Sequence, residues 1–405
     1  MNALLLLDLD DTLLKNNIDE FLPDYLDAFS RFVGERIDPQ KFVTSLMAGT
    51  QAMLQNRQPD CTLKEAFDAV FFPLVGAKPD EFQAIADRFY QEVFPGLRSL
   101  TQPIPQAQEL VKEAIQRNYR LAITTNPLFP RAAVLQRLKW ANLPAEQYPF
   151  ELISSYETFH FTKPDPAYFA EVLGRLGWSA GPVVVIGDDF QRDIAPARKL
   201  GLSAYWVDSQ PSENPTDMLR NGGGALEHAL DWIDSNPVDN LLPDFSLPEA
   251  CVAILRSTPA VLDGLTRGLL ETDWKWRPEE GEWSVTEIIC HLRDVDEEVN
   301  LPRLKTVIET ANPFIAGQDT DPWAESRQYY LQDGKQAFID FMAARQKAVA
   351  LLEALAPADW ERPARHAIFG PTTLQELVKI QAAHDRLHQQ QVLKLISQLP
   401  DCSLS

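Results

Sequence analysis

Two domains of different class are predicted by this sequence of 405 residues: an α/β parallel sheet carrying a helical insertion, then an all-α four-helix bundle. Three observations predict them. Over the first half, short apolar runs alternate with helical patterns, as a parallel sheet covered by helices requires. Between the first two runs, apolar residues recur at helical spacing. Beyond about residue 243 no β-pattern appears, and four long helical stretches follow one another. The length also exceeds that at which one hydrophobic core usually stops growing.

The strands fall at residues 4–7, 121–124, 152–154, 183–186 and 204–207. The insertion, roughly 16–96, shows Phe21, Tyr25, Phe29 and Phe32 on one helical face and reads as a helical cap. A polar stretch rich in Pro, Ser, Asn and Gly, 209–224, precedes a helix near 225–233. The first domain is therefore set at 1–235, a linker at 236–243 and the bundle domain at 244–405. Bundle helices are expected at about 247–270, 284–309, 334–355 and 373–399. Two have explicit starts: Ser284-Val-Thr-Glu287 and Thr373-Leu-Gln-Glu376 fit the capping box, in which the two side chains satisfy orphaned backbone N–H groups.

Hydrophobic residues make up 45% and charged residues 23%, the balance of an ordinary globular protein. The net charge of −21 would repel a phosphate backbone, so nucleic acid is not an expected partner. Cys61, Cys251, Cys290 and Cys402 are scattered, without CxxC pairs, and read as reduced thiols. The opening run 4–7 ends at Asp8 and is too short for a signal-peptide core or a membrane span. A cytoplasmic location and no membrane partner are the expectation.

Four motifs stand at the ends of successive predicted strands. Asp8-Leu-Asp10-Asp11-Thr12 places carboxylates at the C-terminal end of the first strand, where open α/β sheets build their sites. An acidic surface turn would also carry these residues. Thr125-Asn126 closes the second strand with a hydroxyl and an amide able to bind a phosphoryl oxygen, or to cap a helix. Lys163, in Thr-Lys-Pro-Asp-Pro, could neutralise a phosphate and a carboxylate. Gly187-Asp188-Asp189-Phe-Gln-Arg-Asp193 follows the fourth strand, with the glycine suited to a tight turn. Asp188 and Asp193 could then face a cation, and such oxygen ligands suit magnesium. A helix N-terminus that favours acids accounts for one or two of these carboxylates, not three.

In this order and context the sequence resembles the haloacid-dehalogenase-like hydrolase superfamily over about residues 1–233, a Rossmann-like core with a helical cap. The resemblance implies Asp8 as the nucleophile that forms an aspartyl-phosphate, and Asp10 as the acid/base. It implies Mg²⁺ on Asp8, the Asp10 carbonyl and Asp188, with Asp193 in support. Thr125 and Lys163 would clamp the transferring group, with Thr12 and Asn126 as further substrate contacts. The branches that cleave carbon–halogen or phosphonate bonds lack an acid at the position of Asp10. A phosphatase acting on a small phosphorylated metabolite is therefore expected, with a phosphomutase as the alternative.

In the second half, His384 and His388 lie four apart on one helix face, a metal-ligand spacing. Paired histidines also occur on plain helix surfaces, and a third ligand is needed; the candidate is His291. Trp-Arg-Pro followed by Glu-Trp-Ser, a His-Leu in the second helix and the late His-x-x-x-His resemble the DinB/YfiT-like family over about 243–399. That resemblance implies a four-helix bundle holding a divalent metal such as Zn²⁺ or Ni²⁺ on His291, His384 and His388. Thiol-dependent transfer and hydrolysis both occur in that family, so the bundle could carry the main activity or serve as a dimerisation scaffold. A homodimer through the bundle belongs to the same expectation. His366 reads as a rim residue, and His160 and His228 as structural or surface.

Overall fold

The computed structural model describes residues 2–207, 221–279 and 281–399. The chain splits into two compact units, Met1–Val172 with Ser179–Asp244, and Leu173–Trp178 with Phe245–Ser405.

The first unit is built on six strands: β1 (Leu4–Leu7), β2 (Arg120–Ile123), β3 (Phe150–Ile153), β4 (Val183–Gly187), β5 (Ser203–Val207) and β6 (Asn221–Gly224). They run parallel in the order β3-β2-β1-β4-β5-β6. β1 and β4 are buried along their whole length, which is why both read as unbroken apolar runs instead of alternating ones. The first five strands lie within two residues of their expected bounds. β6 was not expected, because Asn-Gly-Gly-Gly has almost no intrinsic strand preference. Packing explains it: a Cβ on Gly222 would stand 2.6 Å from the rings of Trp232 and Tyr205. Most of the polar stretch expected at 209–224 lies outside the described residues.

The insertion leaves the sheet through a two-stranded neck, Leu14–Lys15 against Gln102–Pro103. It comprises α1 (Ile18–Val33), α2 (Pro39–Gln55), α3 (Leu63–Val75) and α4 (Pro79–Glu92). Asn17, Asp38 and Thr62 cap the first three of these helices. Aromatic rings fill the interior: Phe29 stacks on Phe89 at 4.0 Å, and Phe71 meets Phe82 at 4.8 Å. Helices α5 (Pro105–Gln116), α6 (Arg131–Trp140), α7 (Pro166–Arg175) and α8 (Ala229–Ser235) follow along the chain. The segment read as a linker forms a short helix, Val238–Leu241, and Leu241 is buried in the first unit's core.

The second unit contains α9 (Pro248–Thr266), α10 (Val285–Asp294), α11 (Leu301–Glu309), α12 (Gly334–Glu353) and α13 (Leu374–Ser397). The second expected helix is α10 and α11 joined by a π-helical segment, Val295–Asn300. Both expected capping boxes form, at Ser284 and at Thr373. The expectation of no β-structure is corrected by a small sheet of β7 (Phe314–Ile315), β8 (Pro363–His366) and β9 (Gly370–Thr373). Strands of two to four residues, one starting at a proline, are too short to show a period of two.

A buried ion cluster ties this bundle together. Arg345 of α12 is ion-paired with Asp385 of α13, bonds Asp296 of the π-helical segment at 2.6 Å and bonds the Leu255 carbonyl of α9 at 3.0 Å. Gln381 donates to Asp296 at 3.1 Å. No described helix is long and apolar enough to cross a membrane.

Candidate active site and metal centre

Parallel register brings the motif-bearing strand ends together. Leu7 is in register with both Ile123 and Ile186, and the amides of Asp8 and Thr124 donate to the carbonyls of Ile186 and Leu7. Asp8 therefore leaves β1 beside the Gly187-Asp188 corner on one side and Thr124-Thr125 on the other. The loop after Asp8 is tightly wound. The amides of Leu13 and Leu14 both donate to the Leu9 carbonyl, and Asp11 takes a φ of 56°, a left-handed value that Asp tolerates better than most residues.

Carboxylate oxygens of Asp8, Asp188 and Asp193 lie within 4.8 Å of one another. Buried Lys163 bonds Asp8 at 2.8 Å and is ion-paired with Asp193. Burial pushes the Asp8 carboxyl well above its usual range, with Lys163 opposing and Asp193 reinforcing the shift. Asp188 is raised to about 6 by burial and by the Asp193 and Asp11 carboxylates. Burial disfavours the Lys163 ammonium, yet the two carboxylates outweigh it and hold the group above its ordinary range. Three carboxylates face one ammonium, and a hard divalent cation with oxygen ligands fits the remaining charge.

Local structure aims each group. Asp189 caps the turn that follows, accepting from the Gln191 and Arg192 amides, so it is the acid accounted for by a helix start. That turn is π-helical, Phe190–Ile194, and returns Asp193 to the site. Gly187 is needed for close approach and not for a turn: its φ is not in the left-handed region, and a Cβ would lie 2.4 Å from an Asp193 oxygen. Thr12 donates to Asp188 at 3.2 Å. Asn126 accepts the Lys163 amide at 3.1 Å, which positions the lysine's loop. Thr125 is buried, and its carbonyl is held by Ser154 at 2.7 Å and Tyr168 at 2.9 Å.

Sequence reading missed Arg137. This α6 side chain is 1% exposed and bonds Asp10 at 2.5 Å. Asn16 bonds the other Asp10 oxygen at 2.9 Å. The guanidinium also lies 4.6 Å over the Phe129 ring, and its buried Nε and Nη2 have no hydrogen-bond partner among the described residues. An arginine within a helical pattern carries no signal of burial; only the packing of α6 reveals it.

The second unit gathers His291 of α10 with His384 and His388 of α13. Nε2 of His384 lies 3.1 Å from that of His291 and 3.0 Å from that of His388. Tetrahedral zinc–imidazole bonds separate ligand nitrogens by about 3.3 Å, so the cluster fits a metal. Burial lowers His291 to about 3, helped by the other two histidines, and His384 and His388 to about 4. Such imidazoles are neutral, the form a metal requires. Nδ1 of His388 meets Gln391 Oε1 at 2.7 Å, which selects the tautomer with Nε2 free to ligate. Trp283 lies parallel to His388 at 6.2 Å. His366 is a buried residue of β8 whose Nδ1 accepts from the Ile368 amide and whose ring stacks on Phe369 at 4.6 Å. His160 is buried against Glu171 at 2.8 Å.

Comparison with known proteins agrees with this division. The model of haloacid dehalogenase-like hydrolases matches residues 3–201, and that of the DinB superfamily matches 254–392. A phosphoserine phosphatase of Thermus thermophilus is 29% identical over 133 residues, 33% of this chain and 49% of that protein. A ribulose-1,5-bisphosphate 5-phosphatase of Halopiger xanaduensis is 29% identical over 158 residues, 38% of this chain and 62% of that protein. A Bacillus mycoides protein with the provisional name of a metal-dependent hydrolase is 31% identical over 121 residues, 29% of this chain and 68% of that protein. The chain thus spans from about half to three fifths of the length of these two phosphatases. The chain belongs to the haloacid dehalogenase-like hydrolases over its first half and to the DinB superfamily over its second.

Proposed function

We propose that the first unit is a magnesium-dependent phosphatase of small phosphorylated metabolites. The observation that carries this reading is the cluster of Asp8, Asp188 and Asp193, with buried Lys163 paired to Asp8 and Asp193 and with Asp10 two residues from Asp8. Asp8 attacks phosphorus, the ester P–O bond breaks, and Asp10 protonates the departing oxygen. Asp10 then takes a proton from the water that hydrolyses the Asp8 acyl phosphate. Lys163 and Thr125 hold the transferring oxygens, while Thr12 and Asn126 keep Asp188 and the Lys163 loop in place. Asp8, Asp188 and the Asp10 carbonyl, with Asp193 in support, would hold Mg²⁺, which would supply charge neutralisation between two anionic reactants.

Phosphate release from a panel of sugar, nucleotide and glycolate phosphates in Mg²⁺ tests the reading. Wild type is expected to hydrolyse at least one ester at a rate that Asp8→Asn reduces to background and that chelation abolishes. Equal rates in the two proteins would overturn it.

A second activity is favoured by the histidine cluster. We propose that His291, His384 and His388 hold Zn²⁺ or Ni²⁺ for a hydrolytic or thiol-transfer reaction. His384 also borders a cavity of about 150 Å³ that presents Asn300, Arg303 and Gln318. Elemental analysis of the purified chain should find about one such metal per chain, lost in the His384→Ala/His388→Ala variant. Unchanged metal content in that variant would remove the basis of this reading.

A further inference from the structure

Helices α1 to α4 of the insertion, together with residues 128–130 and Tyr156, line a second cavity, of about 180 Å³. Phe129 forms part of its wall, and Arg137, which holds Asp10, sits over that same ring. Phe129 also belongs to the segment that leads from Thr125-Asn126 into α6, so one loop carries both a wall of the cavity and two residues of the phosphoryl site.

The lining is neutral and mostly apolar. Leu22, Phe29, Leu46, Met53, Phe67 and Phe129 contribute most of its character, and no acidic, basic or histidine side chain borders it among the described residues. Its few polar groups are engaged or uncharged. The Tyr25 and Tyr90 hydroxyls bond each other at 2.9 Å, and the Thr50 hydroxyl donates to the Leu46 carbonyl at 3.0 Å. Burial pushes Tyr25 up to about 12 and raises Tyr90 and Tyr156 as well, so none of the three ionises near neutral pH.

A carboxylate, ammonium or second phosphate placed here would lose its water and gain no oppositely charged partner from the lining. A hydrocarbon group would lose nothing and gain contact with aromatic walls. Size guides the choice: a cavity of roughly 150 Å³ takes benzene, so the volume of this one suits a single ring with a short chain, or a branched chain of similar bulk. Resting on the phosphatase reading of the Asp8 site, we propose that the substrate is the phosphate monoester of an apolar aromatic or branched aliphatic alcohol, whose carbon skeleton fills this cavity.

The test measures phosphate release by the full chain in Mg²⁺ from benzyl phosphate and isopentenyl phosphate. Phosphoserine, phosphoglycolate and ribose 5-phosphate are the competing esters, and acetyl phosphate is a reference too small to need the cavity. The proposal expects kcat/KM for at least one apolar ester to exceed that of each charged or polyhydroxylated ester by tenfold or more. It also expects Thr50→Lys, which brings a cation to the lining, to reduce that ratio to phosphoglycolate by at least tenfold. If Thr50→Lys does not fold, Met47→Lys at the exposed rim replaces it. Asp8-dependent turnover that favours a charged or sugar ester, or a preference unmoved by the lysine, would overturn the proposal while leaving a phosphatase. Acetyl phosphate and every ester hydrolysed equally by wild type and Asp8→Asn would overturn the phosphatase reading itself.

Discussion

Asp10 and Arg137 show how much at the residue scale depends on a contact with no sequence signature. The acid/base candidate is legible because it stands two residues after Asp8, but its conformation is set by a guanidinium 127 residues away. Because its contact is with Asp10, Arg137 is expected to serve as a positioning residue. Arg137→Met is expected to lower kcat on the order of 10²-fold with KM little changed, because a misplaced group loses the geometry of proton transfer. Asp10→Asn should lose about 10²–10⁴-fold. The double variant should be no slower than Asp10→Asn alone, since both changes remove one interaction. Steady-state kinetics of the three proteins check this, and additive losses would assign Arg137 a separate role. The histidine cluster was more legible: the spacing of His384 and His388 shows directly, and His291 joins them once α10 and α13 pack together.

Among the elements, the π-helical turn after β4 illustrates a different limit. Three acids near Gly187 could be read as a cation site or as a helix start, and the structure divides them: Asp189 caps, while Asp188 and Asp193 turn inward. The glycine makes room for Asp193. Gly187→Ala would force that carboxylate away, since the new methyl carbon would stand 2.5 Å from its Cγ. The expected result is a kcat reduced on the order of 10²-fold and a Mg²⁺ activation midpoint shifted to higher concentration, with helical circular dichroism unchanged. An unaltered Mg²⁺ titration would contradict the close-packing account. Strand and helix positions were legible to within a few residues wherever apolar runs or caps were strong, as at Leu4–Leu7 and at Ser284. They were illegible for β6 and β7, which pair with strands remote in sequence, and for β8 and β9, a local hairpin too short to show a period of two.

For the whole molecule, the histidine cluster couples stability to pH. His384 and His388 have folded values of about 4 and His291 of about 3, all below the ordinary 6.5. Between those limits the unfolded chain takes up protons that the folded unit resists. Stability is therefore complete above about pH 6.5 and is lost progressively as pH falls toward 4. In chelator, the denaturant midpoint of the second unit should fall between pH 7.5 and pH 4.5, and His384→Gln/His388→Gln should flatten that dependence. An equal slope in the variant would show that other groups control it.

By itself the sequence determined that a parallel α/β sheet with a helical insertion precedes a helical bundle, because burial periodicity and capping are local properties of the chain. It also marked Asp8, Asp10, Lys163, Asp188, Asp193 and the three histidines as a chemistry-bearing set. Only the tertiary structure decided that Asp10 is held by a buried arginine, that a glycine strand joins the sheet and that the insertion lines an uncharged cavity. Each of these depends on which distant surfaces meet and exclude water, a property that no local pattern of residues encodes.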